Sequence, residues 1–310
     1  MYAETYKIVR RKDHIDLNGA GLLVLCSILV GINQVFIKIV NGGLQPVFQA
    51  GFRSICAFLP VLIFAMVMKK PLSIRDGSFW PGILAGVLFS TEFMLLFVSL
   101  DYIDVSRASV LFYTMPFWTA LGAHYFIPGD QLTPPRVVGL LLAILGVFVA
   151  LSSNKWSVDS KSLMGDLFCL IGAMLWASIV LMARATRFSR ACPEMQLLYQ
   201  LGVSAILLTA LSPLFGDLIR EINGVVLILF VIQVLVVVSF GFLTWFWLLS
   251  IYPASRMASY SFLSPVFGVF FGWLILGEKL TENIVVALML VSVGVYLVSK
   301  RPGPTRQGLT

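Results

Sequence analysis

The chain has 310 residues, of which 59% are hydrophobic, 13% aromatic and only 12% charged, with a formal net charge of +7. Soluble domains carry about 25% charged residues, so the balance excludes a water-soluble globular protein. The basic residues flank apolar runs, where they orient helices on an anionic leaflet, and this argues against nucleic-acid binding.

The opening segment, residues 1–16, carries Lys7, Arg10, Arg11 and Lys12. The apolar run behind it is too long for a signal-peptide core and lacks a small-residue cleavage pattern, so it reads as a retained first helix. Breaking the chain at its charged and Pro/Gly-containing gaps predicts ten spans, at 17–40, 46–68, 79–100, 105–127, 135–152, 164–183, 194–214, 224–250, 254–276 and 283–299. They are continuously apolar and roughly twice the length of a barrel strand, so helices are expected to satisfy the backbone in lipid. The predicted class is all-α, a polytopic membrane protein with ten transmembrane helices.

In the first span, Ser27, Gly31, Gln34 and Lys38 fall four, three and four residues apart and form one small and polar stripe. Asn33 and Gln34 on this helix are candidates for contact with a polar ligand, or for interhelical hydrogen bonding. Lys38, near the end of the span, is expected to snorkel to the headgroups, and stands with Arg53 and Glu92 among the candidate charge-pairing and coupling residues. In the second span Gln49, Arg53, Cys56 and Pro60 repeat the pattern. Arg53 then lies about 10 Å, and Glu92 of the third span about 12 Å, inside the same boundary at 1.5 Å per residue. An unpaired charge at that depth is costly, so an Arg53–Glu92 contact, direct or through water, is expected. It would either hold two helices together or let Glu92 carry a proton, with Arg53 altering its affinity.

Pro116 and Pro265 sit at matching places in the fourth and ninth spans, where each removes a backbone donor and frees the carbonyl of Phe112 or Ser261. They are candidate helix hinges. Ser109, Tyr113, Tyr260, Ser261 and Ser264 surround them, while Gly268 with Gly272, and Thr119 with Ala123, offer small surfaces for close packing. Trp176 falls mid-membrane in the sixth span and Trp245 in the eighth, with Trp247, Gln233 and Thr244 nearby; Trp80 and Trp273 fit interface belts, and His124 a boundary position. The candidate substrate-binding residues are therefore Asn33, Gln34, Tyr113, Trp176, Trp245, Tyr260 and Ser264.

Four cysteines without CxxC spacing, and only two histidines, imply no disulfide framework, metal or cofactor. With both termini on one side, that side collects fifteen Lys and Arg: four in the opening segment, then Lys69, Lys70, Arg75, Arg136, Arg184, Arg187, Arg190, Arg256, Lys300, Arg301 and Arg306. The other side has Arg107, Lys155, Lys161, Arg220 and Lys279. The richer side is expected to be cytoplasmic.

Internal repetition is the strongest organisational signal. Ser106-Arg107 through Pro116 recurs as Ser255-Arg256 through Pro265, and each stretch is followed by an acidic residue and Leu-Thr, at Asp130 and at Glu278. Gly146-Val147 matches Gly294-Val295, Gly19 and Lys38 match Gly165 and Arg184, and Pro46 with Gln49 matches Pro193 with Gln196. Two five-helix halves follow, and because five is odd the second enters the membrane inverted, a plan suited to alternating access. The expected organisation is a tail at 1–16, a first repeat at 17–152, an extracytoplasmic linker at 153–163, a second repeat at 164–299 and a cytoplasmic tail at 300–310.

Gly31, Asn33 and Lys38, the Pro46 to Arg53 stretch, Ala108 to Pro116, Ala258 to Pro265 and Gly277-Glu278-Lys279-Leu280 together resemble the drug/metabolite transporter superfamily, in its ten-helix EamA-type branch. The resemblance spans nearly the whole chain. It implies a secondary transporter in the cell membrane, the bacterial inner membrane, with a central cavity lined by spans one, three, four, six, eight and nine. It further implies a small polar or amphipathic metabolite as partner, first an amino acid or related compound moved outward. Membrane lipids, protons acting through Glu92, and a monomer or homodimer complete the expected partners. A passive uniporter or exchanger is the alternative, with a membrane-embedded enzyme or structural component further off. No GxGxxG, Walker, HExxH or GxSxG pattern supports an enzyme.

Overall fold

The computed structural model of the chain describes residues 15–127, 131–152, 160–252, 257, 260 and 263–299. The expected tails at 1–14 and 300–310, and most of the linker, lie outside the described residues. So do Asp130, Ser261 and all but Met257 and Tyr260 of the stretch opening the ninth expected span.

The described residues are helical, joined by short turns, and hold a single isolated bridge between Leu44 and Ile219. In chain order the α-helices are α1 (Leu17–Asn41), α2 (Pro46–Val67), α3 (Phe79–Tyr102), α4 (Val105–Phe112), α5 (Met115–Phe126), α6 (Pro134–Leu151), α7 (Ser160–Ala185), α8 (Pro193–Leu211), α9 (Gly224–Ile232), α10 (Phe242–Ile251), α11 (Leu263–Leu276) and α12 (Glu282–Ser299). Seven continuous helical stretches among them are long and apolar enough to cross a membrane, and α11 and α12 add shorter apolar helices.

Local chemistry sets the boundaries. Asp16 caps α1 by accepting from the Gly19 amide at 2.9 Å, and Asn223 caps α9 through Val226 at 3.0 Å. The α2 helix opens on Pro46, with the Gln45 side chain accepting from Phe48, and α6 and α8 also open on proline, where the missing N–H costs nothing. The fourth expected span is not one helix. It breaks at Tyr113–Thr114 because Pro116 cannot donate back, and the Thr114 hydroxyl turns to the Leu111 carbonyl at 2.7 Å. The eighth expected span is likewise interrupted, by a π-helical run over Gln233–Gly241 between α9 and α10. There the Ser239 hydroxyl reaches the Val234 carbonyl five residues back at 2.8 Å. The α7 helix begins at Ser160, so the end of the expected linker is already helical.

The main packing partners pair helices from the two parts of the chain: α6 with α12, α3 with α7, α2 with α8, α1 with α11 and α5 with α7. Small residues bring these backbones together. A Cβ on Gly139 would lie 2.6 Å from the Gly294 carbonyl, and one on Gly146 would lie 3.0 Å from the Ala287 carbonyl. Residue numbers rise along α6 as they fall along α12, so the two helices run antiparallel. On α2 and α8 the Ser54 and Ser204 hydroxyls share a 2.9 Å hydrogen bond, and Gly51 faces the backbone at Leu208–Thr209.

Candidate functional site

A polar seam crosses the interior where α1, α4 and α11 meet. Gly31 sits against Phe267 and Gly268, and Gly268 in turn faces Ser109; side chains at these glycines would force the helices apart. That proximity lets the Ser109 hydroxyl donate to Gln34 Oε1 at 2.6 Å, both residues being buried. The Tyr113 hydroxyl, at the break between α4 and α5, lies within hydrogen-bonding reach of Ser264, beside the buried Pro265 on α11. Asn33 Oδ1 is buried without a hydrogen-bond partner among the described residues. Gln34, Tyr113 and Ser264, with Pro265, thus gather where α1, α4 and α11 meet.

The remaining candidates lie elsewhere. Trp245 and Tyr260 pack against a separate apolar cluster of Leu23, Cys26, Leu248, Tyr252 and Met257, where Ser27 donates to the Tyr260 carbonyl at 3.3 Å. Trp176 is half-buried on α7 against the main core. Trp80, Trp247 and Trp273 are exposed on the outer surface of the helices.

Deeper in the molecule, Arg53 is 3% and Glu92 0% exposed. They form no direct ion pair, one of the two forms of contact expected. The Arg53 guanidinium instead lies over the Phe93 and Phe97 rings, 4.5 and 4.6 Å from their centroids, an arrangement that holds a cation without using its N–H donors. Arg53 Nη1 and both Glu92 carboxylate oxygens have no hydrogen-bond partner among the described residues, although the two charges act on one another through space. One helical turn from Arg53, Gln49 Nε2 donates to Gln233 Oε1 at a long 3.4 Å, which leaves Gln49 Oε1 and Gln233 Nε2 unmet.

The Lys38 ammonium, expected to snorkel, donates to the Ile103 carbonyl at 2.7 Å and sits 3.5 Å from Asp104 and 3.8 Å from Glu278. Glu278 caps α4 across the interface, accepting from the Val105 amide at 2.7 Å and from Ser106 through both amide and hydroxyl. Gly277, at φ +67°, turns the chain into this position, and Gly272 leaves it space. Alongside, Arg107 forms a buried two-point pair with Asp166, one contact at 2.6 Å. Arg220 adds contacts to Asp101 and the Asn41 carbonyl, and the backbone at 42–45 bonds to that at 218–221. None of this cluster except Lys38 was singled out as a site from sequence. The repeated Ser-Arg and acidic-x-Leu-Thr motifs marked Ser106, Arg107 and Glu278 without saying that they meet.

At the opposite end of the helices Lys70 pairs with Glu194 at 2.9 Å, and Arg190 donates to the Asp76 carbonyl at 3.3 Å. The Asp76 carboxyl is held below its ordinary range, first by its hydrogen bond to the Ser78 side chain.

An all-helical chain with several helices long and apolar enough to cross a membrane is a polytopic membrane protein, and this one leaves charged and amide groups unmet in its interior. The EamA-like transporter family model matches residues 17–152 and again 163–300. The chain belongs to that family, and is a transporter rather than an enzyme. Among relatives, it is 24% identical over 279 residues to an uncharacterized transporter, YoaV, of Bacillus subtilis, covering 89% of this chain and 94% of that one. It is 26% identical over 295 residues to a protein of Escherichia coli named as a probable amino-acid metabolite efflux pump, covering 89% and 93%. A solved crystal structure at 18% identity superposes with a TM-score of 0.67 over 91% of this chain and 96% of the other, which supports the fold.

Proposed function

We propose that the chain is a secondary transporter of ten membrane spans in two inverted halves, working by alternating access on a small polar or amphipathic metabolite. The observation that carries this reading is the contact of α6 with α12. These helices occupy equivalent places at a constant offset in sequence, and they pair antiparallel so that Gly139 meets Gly294 while Gly146 meets Ala287. Exchanging the halves maps one contact onto the other. The other pairings obey the same exchange: α3 with α7 corresponds to α1 with the π-helical segment, and α5 with α7 to α1 with α11. The two separate family matches add to this support. Two exchangeable halves give two mirror-related states of similar energy, which is what alternating access requires.

The fifteen basic residues assigned to one side orient both termini towards the cytoplasm. The Lys38 end then faces outward, and its cross-half contacts hold it closed in this conformation. The seam of Asn33, Gln34, Tyr113 and Ser264 contributes substrate contacts, with Trp176, Trp245 and Tyr260 placed to enter them as the helices move about Pro116 and Pro265. Glu92, a buried carboxylate with no donor, exchanges a proton between the two faces. An amino acid or related metabolite, moved outward, is the first substrate, by analogy with the relative named an efflux pump.

Counterflow in proteoliposomes tests this reading, using labelled leucine, phenylalanine, an organic anion and a quaternary ammonium. Saturable exchange of one class is expected from the wild type, with Glu92→Gln losing pH-driven net flux but keeping exchange. Folded protein that exchanges none of the four would overturn the amino-acid reading and move the search to phosphorylated, nucleotide-linked or lipid-like substrates. Unchanged pH-driven flux in Glu92→Gln would remove the proton and leave a passive exchanger.

A further inference from the structure

We infer that Arg53, with the Gln49–Gln233 pair, forms a subsite for a carboxylate group on the transported molecule. The inference rests on the transport reading above and adds the chemical group that the interior selects.

Three observations converge on it. The Arg53 cation is seated on Phe93 and Phe97 by its π-facing surface, so its position is fixed while its in-plane donors stay available. Its Nη1 is buried without an acceptor among the described residues. By contrast Lys38, Arg107 and Arg220, at the Lys38 end, each already face a carboxylate.

The amides supply the second donor. Gln49 and Gln233, both 0% exposed, share one long hydrogen bond, so one amide N–H group and one amide oxygen are left over whichever of the two is the donor. Gln233 opens the π-helical run, where the wider backbone breaks the regular i to i−4 ladder.

The charge count selects the ligand. When the nearby Glu92 carries its proton, the single guanidinium balances one negative charge, which suits a carboxylate and disfavours a doubly charged phosphate. A carboxylate takes an N–H from Arg53 and another from the amide pair. A carboxamide of the same shape would turn its own donors against those donors, leaving buried groups unpaired, and sites of this kind discriminate strongly.

The test uses the purified full-length protein in lipid nanodiscs and isothermal titration of 3-phenylpropanoate against 3-phenylpropanamide, two molecules that differ only in that group. The acid is expected to bind about tenfold or more tightly than the amide. In Arg53→Gln the ratio should collapse towards one, while Arg53→Lys keeps part of it. Gln233→Leu, which leaves the cation in place, should weaken the acid and spare the amide, and it carries the test if Arg53→Gln does not fold. Equal affinities in the wild type, binding of neither compound, or a ratio preserved in both Arg53→Gln and Gln233→Leu would overturn the subsite. Acid-selective binding without counterflow would defeat the amino-acid reading and keep the subsite; counterflow without selectivity would do the reverse.

Discussion

The Glu278 carboxylate accepts the Ser106 hydroxyl at 2.5 Å and the Ser106 amide at 2.8 Å, joining residues 172 apart in sequence. It satisfies the first turn of α4 and ties the second half of the chain to the first. Replacing Glu278 with Ala strips a charged acceptor from three donors at once. Each charged hydrogen bond contributes about 1.5–3 kcal/mol, so the amides of Val105 and Ser106 should lose protection by more than about tenfold. Hydrogen exchange followed by mass spectrometry over residues 103–112 measures this directly.

Gly272→Ala reaches the same contact from the opposite side. Its Cβ would lie 2.6 Å from Glu278 Oε2 and 3.0 Å from Ser106 Oγ, closer than packed atoms tolerate. The expected outcome is faster exchange in the same 103–112 segment with the carboxylate still present. Unchanged protection would mean that Glu278 can move aside without releasing α4.

Asp166→Ala should destabilise the protein by about 3 kcal/mol, because it removes the two-point acceptor from the buried Arg107. The double variant Arg107→Met with Asp166→Leu should recover part of the loss, since a buried pair replaced by apolar groups of similar size costs little. Thermal unfolding in detergent compares the three proteins.

Gly294→Val should lower thermal stability by about 1–3 kcal/mol through overpacking against the Gly139 backbone. Because none of the seam's hydrogen bonds among the described residues involves α6 or α12, affinity for a transported substrate should change less than stability does. A separate measurement of each quantity checks the split.

The Cys192 thiol, just ahead of α8, is pushed up from its ordinary value, first by burial. Less of it is thiolate at pH 8 than in an exposed cysteine, so alkylation by iodoacetamide should be slower there and should keep rising to higher pH. A pH series of labelling rates in a variant lacking the other three cysteines measures it.

Span positions were legible because twenty apolar residues in a row have few other fates, and the proline-led starts at Pro46, Pro134 and Pro193 fell close to the expected edges. The interruptions were less so. Pro116 marked the fourth span for a bend, yet the break falls at Tyr113–Thr114, ahead of it, since the lost bond belongs to the preceding turn. The π-helical run has a uniformly apolar sequence around Val234–Val238, which carries no period by which a wider helix could be distinguished. Depth alone put Arg53 and Glu92 at a common level but could not reveal that two phenylalanine rings take the guanidinium. Arg107 looked like a loop flank because its partner, Asp166, comes from the other half of the chain.

On the two-half arrangement proposed above, the reciprocal contacts between α6 and α12 make that surface isologous, in the way a two-fold homodimer interface is. Each half therefore presents its neighbour with a copy of its own face. Two polypeptides, one ending near residue 152 and the other starting near 163, should then find each other in the bilayer without the covalent join. Either one alone should also self-associate, in competition with the proper partner.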